Sequence, residues 1–156
     1  MSLKQNHRHN KRLGSAEDRL DTIEAEAAAL VVVAIPVIPA LDDCAANDAT
    51  AIWGPVPAAL AGYVITAVAG CLGTAGTASG SETMDIGITN RTQSDAAVLS
   101  TKLKFASAAV VDDGNAVIDA AEDDLTEGDV LEIDISTVHL GTAAKGLTVM
   151  LTLTKP

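Results

Sequence analysis

Few side chains in this 156-residue sequence are equipped for chemistry, and they are scattered. His7 and His9 stand near the N-terminus and His139 alone in the body. Nucleophilic catalysis needs a base beside a nucleophile, oriented by a third group, and no Ser, His and acid stand in a pattern that offers one. His139 therefore reads as a loop or strand-end residue. His7 and His9 are two ligands on a polar segment, which leaves a transition-metal sphere mostly to water. Cys44 and Cys71 have no CxxC or Cys/His cluster around them, so zinc and thioredoxin-type chemistry lack their ligand spacing. Both read as small core residues; a disulfide would need their Cα atoms within about 6 Å.

The acids Asp112, Asp113, Asp119, Glu122, Asp123, Asp124, Glu127 and Asp129 are dense enough to raise the question of calcium, which takes oxygen ligands from loops. Their spacing matches no EF-hand, and a run of like charge is ordinarily a solvated face. Gly70, Gly73 and Gly76 recur every third residue without the lysine of a phosphate-binding loop. Trp53 and Tyr63 are the two residues able to stack on a sugar, but each is single and lies beside glycine or proline, which favours packing. The sequence thus predicts no catalytic residue, no cofactor and no metal site.

Composition bounds what must position these residues. The chain is 48% hydrophobic with one Trp, one Tyr and one Phe, so aliphatic residues fill the core. One domain of this length buries roughly two-thirds of its unfolded surface and needs neither metal nor disulfide. Formal charge is −11, but half of the ten basic residues, Lys4, Arg8, Lys11, Arg12 and Arg19, precede residue 20. The rest of the chain sets five bases against nineteen acids. Nucleic acid is excluded as a partner of that body, because phosphates would be repelled.

Residues 1–14 are polar and basic without an apolar period and predict a flexible arm. Ser15 with Asp18 has the pattern of a helix cap, and an amphipathic helix is expected over 15–30. Its stripe, Leu13, Ala16, Leu20, Ile23, Ala27 and Leu30, follows coiled-coil spacing, though Glu17, Glu24 and Glu26 on its flanks oppose a tight parallel bundle. The stripe must pack on sister chains or on its own domain. The uncharged run 27–41 is too short to span a membrane, carries Pro36 and Pro39, and is separated from the basic arm by five acids, unlike a signal peptide. Asp43 before Cys44 disfavours lipidation. No membrane partner is expected.

From Val31 the β-branched run and the prolines favour strand over helix, so a β domain is expected over 31–156. Period-two alternation marks strands at Met84–Ile88, Leu99–Phe105, Leu131–Ser136 and Leu147–Thr154. Tyr63–Leu72 is apolar on both faces apart from Thr66 and reads as a covered central strand. Turn residues separate these runs, Asp119–Asp124 can form one helical turn, and no repeat is evident. The expected class is all-β, an antiparallel sandwich or jelly roll.

Ala97–Leu103, Ala116–Asp119, Asp124–Asp134 and Ala144–Leu153, preceded by Pro55–Pro57, Gly62–Thr66 and Asp85–Asn90, resemble the jelly-roll domains of tailed-bacteriophage virion proteins. The resemblance covers roughly residues 50–156 and rests on strand and turn residues, so it carries no catalytic residue across. It implies a non-enzymatic virion component, a capsid decoration (cement) or head-fibre protein assembled in the host cytoplasm, in a class whose members often form homotrimers. In that setting Lys4, Arg8, Lys11, Arg12, Leu13, Leu20, Ile23 and Leu30 are the expected anchoring and oligomerisation residues, with capsid or other virion proteins as partners. The alternative is a receptor-binding tail or fibre adhesin that recognises host glycan.

Overall fold

The computed structural model describes residues 30–46 and 51–156, and among them every regular element except one short 3-10 turn, Ala58–Leu60, is a β-strand. The strands are β1 (Leu30–Asp43), β2 (Ala51–Trp53), β3 (Val64–Thr74), β4 (Met84–Asn90), β5 (Ala96–Ala97), β6 (Leu99–Thr101), β7 (Leu103–Phe105), β8 (Val117–Ile118), β9 (Leu131–Thr137) and β10 (Lys145–Thr154). Three form one sheet in the order β1-β10-β3. A second sheet runs β2-β9-β4-β5, with β7 also on β4, and β6 with β8 makes a small separate pair. All pairings are antiparallel.

Alternation sets which residues enter the core. In β10, Leu147, Val149, Leu151 and Leu153 are fully buried, while Thr148, Met150, Thr152 and Thr154 are half-buried on the other side. In β9, Leu131, Ile133 and Ile135 turn inward; in β4, Met84, Ile86 and Ile88 do. One apolar cluster joins the inward faces of both sheets. A one-residue slip of β9 on β4 would send Ile133 and Ile135 to water, and this fixes the register.

Four expectations change. The expected helix over 15–30 lies outside the described residues except for Leu30, and there it fails: Leu30 opens β1, opposite Thr154 of β10. The β-branched residues that follow it, Val31 to Val33, suit a pleated ladder. Tyr63–Leu72 is not a covered central strand, because β3 pairs with β10 alone among the named strands and leaves Thr66 and Ala67 exposed. Its outer edge is met by two short stretches rather than a strand, through the bridges Val64 to Asp124 and Cys71 to Val111 and the Gly70 N–H bond to the Asp112 carboxylate. The central strand of that sheet is β10. Leu99–Phe105 is not one strand either: β6 leaves for β8, and β7 returns to β4. Asp119–Asp124 forms a turn, with Glu122 N–H donating to Asp119 O at 2.9 Å, rather than a helix.

Two glycines are imposed by close approach. Gly70 faces the core where Phe105 and Leu103 cross β3; a Cβ there would sit 2.8 Å from Phe105 Cζ and 2.7 Å from Leu103 Cδ2. Gly54, at φ +137°, lies so close to the main chain of Asp129 that a Cβ would meet its carbonyl oxygen at 2.6 Å.

Candidate functional site

The catalytic candidates are placed in structural roles. His139 is buried, with Nε2 3.1 Å from the carbonyl oxygen of Phe105 and Nδ1 without a hydrogen-bond partner. The contact ties the segment after β9 to the end of β7. Cys44 and Cys71 are both free. Burial, with Asp43 adding to it, pushes the Cys44 thiol up to about 11, which keeps it protonated and unreactive.

The acids do not converge on a cation; among the described residues no group of three or more His, Cys, Asp or Glu is placed to hold a metal. They close turns instead. Asp112 accepts from Gly114 N–H at 2.8 Å and Gly70 N–H at 2.7 Å, Asp113 from Asn115 N–H at 3.1 Å, and Asp119 from Ala121 N–H at 3.0 Å. Asp129 is the buried exception, 5% exposed. Burial alone would raise its pKa, but donors from Thr126 N–H at 2.8 Å, Thr92 Oγ1 at 2.9 Å and Gln93 Nε2 at 2.9 Å outweigh that and hold the carboxyl below its ordinary value. It ties the turn before β9 to the turn after β4.

The aromatics offer no open stacking surface of two rings. Tyr63 is buried, with Lys155 Nζ 5.9 Å from its ring centre, and Trp53 is half-buried against the core. Tyr63 is thus a packing residue, as its place beside glycine suggests.

What remains is a surface. Register places Leu30, Val32, Ala34 and Pro36 of β1 side by side with Thr154, Thr152, Met150 and Thr148 of β10. These in turn face Val64, Ala67, Ala69 and Cys71 of β3. All twelve point away from the core, and none is charged. Leu30 is 54% and Val32 59% exposed. Beyond β3 the face continues to Val111, bridged to Cys71, and ends at Asp124, bridged to Val64. At the Pro36 end, β1 shifts register against β10 twice, between Pro36 and Ile38 and between Ile38 and Asp43. A hollow of about 320 Å³ opens there, lined by Pro36, Ile38, Pro39, Cys71, Gly146 and Thr148 among others.

Of the expected anchoring residues, Lys4, Arg8, Lys11, Arg12, Leu13, Leu20 and Ile23 lie outside the described residues. Leu30 belongs to this face. No described helix is long and apolar enough to cross a membrane. The apolar face escapes sequence reading because Ala67, Ala69, Met150 and Val32 lie far apart along the chain; the one available signal is the lack of charge at alternate positions over Leu30–Pro36, Thr148–Thr154 and Val64–Cys71. No protein-family model, curated protein or solved structure matches this chain.

Proposed function

We propose that this protein is a non-enzymatic structural component of a tailed-bacteriophage virion, its β body a jelly roll displayed at the particle surface and its basic N-terminal segment the anchor. The observation that carries the reading is strand order. A jelly roll pairs its eight strands as 1-8-3-6 and 2-7-4-5 in two facing sheets. With β5 to β7 taken together as the fifth strand and the 110–118 segment as the sixth, β1-β10-β3 followed by the Val111 bridge has the first order. The run β2-β9-β4 followed by β5 and β7 has the second.

Fold alone does not give function, since viral capsid and lectin domains share this architecture. The capsid reading is favoured over the adhesin reading by the burial of Tyr63 and by acids that close turns rather than line a polar ligand site. It is also favoured by the charge split: an acidic body stays soluble when many copies are displayed, while Lys4, Arg8, Lys11 and Arg12 suit an acidic docking surface on the particle. More than one copy assembles in this reading.

Gel densitometry of purified virions tests it. The wild-type chain is expected at fixed occupancy, and replacing Lys4, Arg8, Lys11 and Arg12 by glutamate should strip it from particles while circular dichroism of the β body is unchanged. Undiminished occupancy of that variant overturns the anchor. A wild-type chain that never co-purifies with particles overturns the virion reading.

A further inference from the structure

The outward face of the β1-β10-β3 sheet has the shape and charge of an interface with itself. At one end Leu30 and Val32 project, more than half exposed. At the other end is the hollow beside Pro36, Cys71 and Thr148. Met150 lies midway, flanked by Ala34 on β1 and Ala69 on β3, two small side chains that leave its thioether free to adapt. A two-fold axis through this point lays the projecting end of one copy over the hollow end of another, and the same contact is made twice. That self-complementarity is what an isologous interface requires.

We propose that two copies of this chain pack through these faces, with Leu30 and Val32 of each copy seated in the hollow of the other and Met150 on the axis.

Charge selects the occupant. A chain of formal charge −11 repels its own copies everywhere except across a neutral surface. This face has no charge in its centre; Asp124 is at one rim, and Asp42 with the Asp43–Lys145 pair, 2.7 Å, is at the hollow end. A basic partner would find no carboxylate in the centre to pair with, whereas a second copy meets charge only at the rims, where Asp43 is already paired with Lys145. Area sets the strength. Three strands about 4.8 Å apart and roughly eight residues long at about 3.3 Å each present about 400 Å². This is about half of what each partner contributes to an interface of standard size, so the association is reversible and concentration-dependent.

The proposal shares only self-association with the virion reading, and it departs from the trimer that the resemblance implies. Sedimentation velocity on the full-length chain, from low micromolar to near-millimolar concentration, tests it. The expected result is a monomer–dimer equilibrium that Val32→Glu weakens by about a hundredfold, as for an apolar side chain seated in its partner's hollow, with an unchanged melting temperature. Ile52→Glu, equally exposed but on the opposite sheet, should keep the wild-type equilibrium. A monomer at every concentration overturns the proposal, as does a trimer or a dimer indifferent to Val32→Glu. If the monomer's Leu30 and Val32 amides are protected from hydrogen exchange only while residues 1–29 are present, the chain covers its own face and the proposal falls. None of these outcomes bears on whether the chain is found on particles.

Discussion

The two sheets obey one rule inside and opposite rules outside. Inward, β9 and β10 are interchangeable in character: Leu131, Ile133 and Ile135 on one, Leu147 to Leu153 on the other, all fully buried. Outward, the β9 sheet shows Glu132, Asp134, Asp85 and Lys104, with Arg91 Nε 3.1 Å from Glu132 Oε2 and Lys102 Nζ donating to Ser136 Oγ at 2.9 Å. The outward side of the β10 sheet has no charge from Leu30 to Pro36 or on their partners; its charges, Asp42, Asp43 and Lys145, stand at the far end, where Lys145 Nζ pairs with Asp43 Oδ1 at 2.7 Å. Folding needs only one apolar face per sheet, so the outward residues are free to vary and report what each surface meets. One faces water; the other is built to be covered.

The comparison breaks most readily at the shared core. Leu151→Ala in β10 and Ile133→Ala in β9 should each cost about 2–5 kcal/mol by urea titration, because both leave cavities in the same cluster. A large cost in one strand and a negligible one in the other would mean that the sheets do not share a core. Next comes Gly70→Val, which forces a side chain into Phe105 and Leu103 and should cost about 1–3 kcal/mol, with Phe105→Leu in the same chain recovering part of it.

Asp129→Asn is expected to cost about 1–3 kcal/mol at neutral pH, since it removes a buried charged acceptor from three donors. Because the folded carboxyl titrates below its ordinary value of about 3.9, its contribution is complete above that value and is lost as pH falls through the lower, folded one. The melting-temperature gap between wild type and variant should therefore narrow below about pH 4. A gap constant down to about pH 2 would show that the cost of the substitution does not come from the carboxyl's charge, and no gap at neutral pH that the amide satisfies the same donors. The smallest effects separate the outward faces: Glu132→Ala, which leaves Arg91 with Asp95 at 3.3 Å, and Thr152→Ala should each change stability by less than about 1 kcal/mol. Only the first should lose its effect in high salt.

Much of this fold is legible from alternation alone. Met84–Ile88, Leu131–Ser136 and Leu147–Thr154 are strands with the expected residues buried, because period two and burial are the same fact in a half-covered sheet. Tyr63–Leu72 misleads for a physical reason. Its outward Ala67, Ala69 and Cys71 are apolar, and apolar on both sides looks like burial on both sides; here it marks an exposed apolar face. The site is hardly legible. Leu30 was singled out for a helical stripe yet sits in a strand, and its neighbours on the face, Thr154 and Val64, come from segments brought together only by register.

Pro36 and Pro39 lie within β1, whose second edge pairs with no strand among the described residues. An open edge fourteen residues long is a template on which further chains can stack without limit, as in fibrils. A proline has no N–H for an arriving strand, and the two register shifts beside these prolines bend the ladder away from straight growth. The Pro36–Pro39 half of the edge is thus a poor template for straight addition, and the proline-free stretch left to an arriving strand is Leu30–Ile35, six residues of the fourteen.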